Sequence, residues 1–220
     1  MNALKDNMLS IAALLAMTIL SFYFYDELPN ILPTQMGSDG EVLESIPKQL
    51  AVSLLPGIFF AVVLTINVLI AISPDKFTMP NSKQAMHVII FGLGVLLLSV
   101  HYFLLFGNGD MVFFTEFFSY GMALFLIITG NVMGKIERNF ALGIKTPWAI
   151  DSEENWRATH RLAARLMVIA GIILLVCTPF YRHIGITVPL SVAPLIIPAI
   201  YSFIYFQKHE RGKEGSSTAL

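Results

Sequence analysis

The sequence predicts an all-α integral membrane protein of six transmembrane helices with both termini cytoplasmic. Three observations carry this. Of 220 residues, 55% are hydrophobic and only 13% charged, where an ordinary soluble domain carries roughly 25% charged residues. Six runs with few or no charges approach the ~20 residues that cross a bilayer. Finally, 12 of the 14 Lys and Arg residues fall where a six-span plan places one side of the membrane, the cytoplasmic one by the positive-inside rule. A mean hydropathy of +0.70 leaves too little polar surface for a soluble globule and too much apolar sequence for disorder.

The first span is expected over Met8 to Tyr25, ending in the interfacial aromatics Phe22 to Tyr25. A cleaved signal peptide is the competing reading, but no small-residue cleavage site follows and the chain continues into Asp26, Glu27 and Leu28. Residues 26–48 then form an outer loop with Asp26, Glu27, Asp39, Glu41 and Glu44 against Lys48. It is either a solvated acidic face or one that attracts a cationic peptide or metal ion. Pro29, Pro33, Gly37 and Gly40 punctuate it, so a regular helix is excluded there.

Spans two to four are expected over Gln49 to Ser73, Ala85 to Gly107 and Phe113 to Gly134. The fifth is continuously apolar from Leu166 to Tyr181, with its helix starting earlier because Asp151 and Ser152 are N-cap residues and Asp151 with Glu154 has capping-box spacing. The sixth, His183 to Gln207, contains Pro189, Pro194 and Pro198, which predict kinks. The basic residues Lys5, Lys76, Lys83, Lys135, Arg138, Lys145, Arg157, Arg161, Arg165, Lys208, Arg211 and Lys213 lie on the cytoplasmic side of this plan, with Lys48 and Arg182 opposite.

A net charge of −1 gives no basic face for direct nucleic-acid binding. The single Cys177 excludes an internal disulfide or multi-cysteine metal site and reads as a packing residue.

The segment from Gly130 to Arg165 mixes charge, glycine and tryptophan at a membrane boundary. Gly130 and Gly134 have the small-xxx-small spacing that lets a neighbouring helix approach. Gly143 followed by Ile144-Lys145-Thr146-Pro147-Trp148 reads as a turn and then an extended piece. Trp148 and Trp156 are expected at headgroup level on either side of the cap, as interfacial anchors. Glu153, Arg157, Arg161 and Arg165 repeat every four residues, giving one helical stripe with Glu153 set to pair with Arg157 and the other cations free for anionic headgroups.

These residues resemble the signature of the SdpI family of bacterial immunity membrane proteins, in which a Gly-Asn pair ends a transmembrane helix and leads to an Asn, then Gly-Ile-Arg-Thr-Pro-Trp, then a Trp followed by Thr-His-Arg. Here Gly130-Asn131, Asn139, Gly143-Ile144, Thr146-Pro147-Trp148, Trp156 and Thr159-His160-Arg161 match. Lys145 stands where the family usually has arginine, which replaces bidentate recognition with a point charge. The first span and outer loop are similar to the family's small N-terminal domain through Leu28-Pro29, Pro33-Thr34 and Gly40, although Gln35 stands in place of the usual histidine and removes an imidazole from any metal role there. On this reading residues 1–48 are that N-terminal unit, 49–112 hold spans two and three, 113–210 the signature region with spans four to six, and 211–220 a flexible tail. The resemblance implies a multipass bacterial inner-membrane protein that gives resistance to a secreted antimicrobial peptide, holds a transcriptional regulator at the membrane, or both. Its implied partners are membrane lipids, a toxin peptide on the outer face and a cytoplasmic regulator. Its implied binding residues are Asn131, Asn139, Gly143, Lys145, Thr146, Pro147, Trp148, Trp156, His160 and Arg161.

Ionisable residues inside spans are functional candidates. His101 and Glu116 fall at similar depth near the outer ends of spans three and four, so a pair is expected, either structural or part of a proton or ion relay. Asn67 and Asn131 are candidates for interhelical hydrogen bonds. A metal or catalytic site built from His87, His160 and Glu137 lacks HExxH, His-Cys or paired-carboxylate spacing, and no phosphate loop, nucleophile elbow or dinucleotide fingerprint appears. The expectation is therefore no cofactor, no metal and no enzyme. The alternatives are a small proton- or ion-coupled transporter using Glu116 and His101, and a membrane-embedded lipid-acting enzyme. The two arrangements of the signature are distinguishable in a structure: residues clustered around a pocket indicate binding, and hydrogen bonds spent on the loop backbone indicate bracing.

Overall fold

The computed structural model describes residues 6–37, 41–72, 80–139, 142–209 and 211. Lys5, Asp39, Gly40, Lys76, Lys213 and the tail beyond 211 lie outside the described residues. The chain forms α1 (Met8–Phe24), β1 (Ile31–Met36), β2 (Val42–Pro47), α2 (Lys48–Ile72), α3 (Pro80–Phe106), α4 (Met111–Met133), α5 (Pro147–Asp151), α6 (Glu153–Cys177) and α7 (Ile184–His209). Five of these helices, α2, α3, α4, α6 and α7, are long and apolar enough to cross a membrane. At 17 residues, α1 is apolar but shorter.

Polarity of the helix starts sets several boundaries. The Asp110 carboxylate accepts from the backbone N–H groups of Val112 (2.7 Å) and Phe113 (3.3 Å), satisfying donors that the first turn of α4 leaves open. Helix α7 runs without interruption through Pro189, Pro194 and Pro198, and the last two are fully buried.

The bundle has two parts that meet along α3. In one, α4 packs against both α3 and α6, and α6 against α7. Small residues permit the α4–α6 approach: a Cβ at Gly130 would lie 2.8 Å from Val168 Cγ2 and 2.9 Å from the Ala164 carbonyl oxygen, and one at Gly171 2.7 Å from the Ala123 carbonyl oxygen. Gly130 thus has the packing role expected of it, whereas a Cβ at Gly134 would make only ordinary contact, 3.5 Å from Ala164 Cβ. In the other part, α1, α2 and α3 close around Ala13, Met17, Phe59 and Ile90. The Phe59 ring lies so close to Gly94 that a Cβ there would come within 2.6 Å of it.

Residues 26–48, expected only to be turn-rich, contain an antiparallel β-hairpin whose register pairs Ile31 with Pro47, Leu32 with Ile46, Pro33 with Ser45, Gln35 with Glu44 and Met36 with Val42. Leu32 plugs the hairpin onto Leu28, Ala51 and Leu105, and the Met36 N–H donates to the Gly109 carbonyl in the α3–α4 turn (3.2 Å). Gly109 takes φ +75° there. Lys48 closes the hairpin base: its Nζ donates to the carbonyls of Tyr25 (3.1 Å) and Leu28 (3.3 Å) and lies 4.5 Å from the Tyr25 ring centroid.

Candidate functional site

The signature region lies at the end of the bundle opposite the hairpin, where α4 ends and α6 begins. The chain leaves α4 at Gly134 and turns, and Gly143 then adopts φ +119°, a conformation L-residues rarely take. A Cβ at Gly143 would overlap His160 Nε2 and press on the Trp156 ring at 3.0 Å. Glycine is required by both conformation and space. Extended geometry persists only to Thr146 (ψ 149°), whose hydroxyl caps α5 by accepting from the Ala149 N–H at 3.2 Å. The expected extended Pro147-Trp148 is corrected on this point. Proline restricts the residue before it, but its own fixed φ suits the first turn of a helix, and Pro147 opens α5. Of the two expected N-cap residues, Ser152 caps α6, its Oγ accepting from the Asn155 N–H at 3.2 Å, whereas Asp151 ends α5, so the Asp151–Glu154 capping box does not form.

Two buried side chains of α6 hold the loop. Trp156 is fully buried, and its Nε1–H donates to the Ile136 carbonyl at 2.8 Å. It is therefore a core residue and not the headgroup anchor expected; the loop folding over it removes it from the interface. His160, also fully buried, stacks on Trp156 with ring centroids 4.1 Å apart. The Ile144 N–H donates to its Nε2 at 3.0 Å, while its Nδ1 lies 2.8 Å from the Trp156 carbonyl. A carbonyl only accepts, so the ring carries its proton on Nδ1 and both nitrogens are occupied. One turn of α6 thereby grips the loop before and after its bend.

The remaining signature residues divide by role. The Asn139 Oδ1 accepts from the Leu142 N–H and its Nδ2 donates to the Glu137 carbonyl, each at 2.7 Å, an Asx-type turn that shapes the bend. The Thr146 hydroxyl lies 2.6 Å from that of Ser202 on α7, and Trp148 rests half-buried on Phe203 (4.9 Å between centroids). Asn131 donates within α4 to the Ile127 carbonyl (2.8 Å) and is exposed, so it does not reach the loop. Lys145, Pro147 and Arg161 are exposed, as are Lys135 and Arg165, leaving a cationic rim around a satisfied interior. Glu153 and Arg157 form the expected ion pair.

Sequence reasoning missed several members of this arrangement. Arg138 donates to the carbonyls of Ile150 (3.1 Å) and Asp151 (2.8 Å), which end α5. Asn155 donates to the Ser202 carbonyl (3.0 Å) and accepts from Thr159 (3.1 Å), all buried. Ser82 on α3 accepts from the Glu137 N–H (3.2 Å). The available signal was the spacing of Asn155 and Thr159 on the same helical face as Trp156 and His160.

The expected Glu116–His101 pair does not form. His101 is fully buried toward α1, its Nε2 2.8 Å from Ser21 Oγ, and Ser21 in turn donates to the Val52 carbonyl at 2.9 Å. Glu116 instead pairs with Arg182 at 3.2 Å. Depth along the two helices was right, but helical rotation sends the side chains to different neighbours. Asn67 does bond between helices, exchanging two amide hydrogen bonds with Asn7 (2.8 and 3.1 Å). Among the described residues no group of three or more His, Cys, Asp or Glu side chains converges as a metal site would.

A helical multipass membrane protein is thus defined, with a loop clamped between its α4 and α6 helices. That loop and the two helices after it carry the signature of a known family: residues 135–206 match the model of the SdpI/YfhL protein family, which bears out the resemblance read in the residues. Over 211 residues the chain is also 28% identical to the Immunity protein SdpI of Bacillus subtilis (strain 168), covering 93% of this chain and 98% of that protein. No solved structure matches the chain.

Proposed function

We propose that this chain is an inner-membrane immunity protein that gives resistance to a secreted antimicrobial peptide, and that α1 is a sixth span, so that both termini and the signature loop are cytoplasmic and the hairpin is external. The observation that carries the reading is likeness to an immunity protein from end to end, at 93% of this chain and 98% of the relative, rather than in one segment. The arrangement of basic residues supports the orientation, since the exposed cations Lys135, Arg138, Lys145, Arg157, Arg161 and Arg165 rim the loop end. In this reading the protein acts by binding and not by turnover. The toxin is met at the hairpin end, and the cationic rim takes anionic lipid headgroups or an acidic surface of a cytoplasmic regulator.

The transporter alternative rested on Glu116 and His101 acting together, and their separate partners withdraw its main support. Within the signature, Asn139, Gly143, Thr146, Trp156 and His160 spend their described interactions on bracing, which leaves recognition to Pro147, Arg161 and the exposed part of Trp148.

The test is survival of a sensitive bacterium expressing the protein under challenge with a panel of secreted antimicrobial peptides, beside Asn139→Ala and Trp148→Ala variants at matched membrane levels. Protection by the wild-type chain that is lost in the variants is expected. No protection across the panel overturns the immunity reading.

A further inference from the structure

The hairpin is attached mainly along β1, with Ile46 the one residue of β2 that packs into the same core. β1 is plugged in by Leu32 and tied to Gly109 through Met36, whereas five of the six residues of β2 are exposed. Among the described residues the sheet has two strands, and no further strand lies beside the far edge of β2. The register says which groups face that edge. Proline is tolerated in a ladder where its missing N–H would point away from the partner strand, and the two prolines of the hairpin stand at the Pro33–Ser45 and Ile31–Pro47 pairs, on either side of Leu32–Ile46. Antiparallel pairs alternate between facing and averted peptide groups. Ser45 therefore turns its N–H and C=O outward, toward the open edge.

The side chains flanking that edge have a definite chemistry. Val42 and Leu43 are 54% and 50% exposed, and Ile31 on the neighbouring strand is 63% exposed. Glu41 and Glu44 are exposed beside them, with Asp26 and Glu27 at the hairpin base. The basic residue of this segment, Lys48, is committed to the Tyr25 and Leu28 carbonyls. An open strand edge with apolar and acidic side chains fits an extended peptide that alternates apolar and cationic residues. The carboxylates oppose the other surface available to exposed Val and Leu, an anionic lipid headgroup layer. We infer that the outer edge of β2 is a docking strand for a cationic, amphipathic peptide segment, bound by strand addition across Ser45. This deepens the immunity reading by naming where and in what form the peptide is held.

The experiment uses the full chain in phosphatidylcholine nanodiscs and, as probe, a fluorescent eight-residue peptide of alternating lysine and valine, with a second probe N-methylated on every other amide. The expected result is saturable binding of the first probe, weakened at least tenfold by N-methylation and by Ser45→Pro. Glu44→Lys weakens it about fivefold, the scale of one exposed charge pair. Equal binding of the two probes, equal binding to empty nanodiscs, or no effect of Ser45→Pro in a chain that keeps its wild-type melting temperature overturns the inference. Should Ser45→Pro lower the melting temperature, the probe comparison on wild-type protein and the Glu44→Lys variant decide it. The two readings fail separately. Probe binding by a chain that protects against no toxin removes immunity and leaves the docking strand, whereas protection without probe binding does the reverse.

Discussion

The two parts of this bundle that meet along α3 are held together in different ways. The α4–α6–α7 part relies on close backbone approach and on a loop folded into the core: Gly130, Gly171 and Gly143 each sit where a Cβ would collide, and Trp156 and His160 are fully buried beneath the loop. The α1–α2 part is pinned at its two ends by polar contacts, Asn7 with Asn67 at one and Ser21 with His101 and the Val52 carbonyl at the other. Between them lie Met17 and Phe59, and much of α2, from Leu50 to Ile72, faces outward. Jigsaw packing makes the first part intolerant of added or removed atoms, whereas in the second part such intolerance is confined to the pins and to the Met17, Phe59 and Gly94 contact between them. The family model falls on the first part, at residues 135–206.

Substitutions sharpen this contrast. The largest effect is expected from Trp156→Ala, which empties a fully buried site and orphans the Ile136 carbonyl; a loss of about 3–5 kcal/mol should appear as a sharp fall in melting temperature in detergent. Gly143→Ala comes next, at about 1–3 kcal/mol for the backbone conformation alone. Because His160 and Trp156 cannot yield, it should release the loop and speed tryptic cleavage at Lys145 while α1 and α2 keep their protection. Asn67→Ala, on the other side of the comparison, should cost only about 0.6–2 kcal/mol, read as a small melting shift with no change in cleavage at Lys145. If Asn67→Ala proved as damaging as Trp156→Ala, the division into packed and pinned parts would be wrong.

The long apolar helices were legible because twenty uncharged residues admit few other readings. The hairpin was not. Its strands contain Pro33 and Pro47, and the pairing slips between Pro33 and Gln35 and again before Met36, so the alternation that marks a strand is interrupted. The composition of the candidate site was legible, while its burial was not. Trp156 sits among Glu153, Glu154 and Arg157, company that suggests a boundary; only the loop carried over it by Gly143 puts it inside. Likewise, similar depth for His101 and Glu116 could be read from span ends, but the rotation of each helix is set by tertiary neighbours such as Ser21 and Arg182 that are distant in sequence.

Lys48 gives the hairpin a mechanical character. It is the first residue of α2, yet its ammonium is fastened to the carbonyls of Tyr25 and Leu28, just past the end of α1. The hairpin is consequently a closed loop standing on two joined feet. A load on β2 would therefore reach the end of α1 and the start of α2 together.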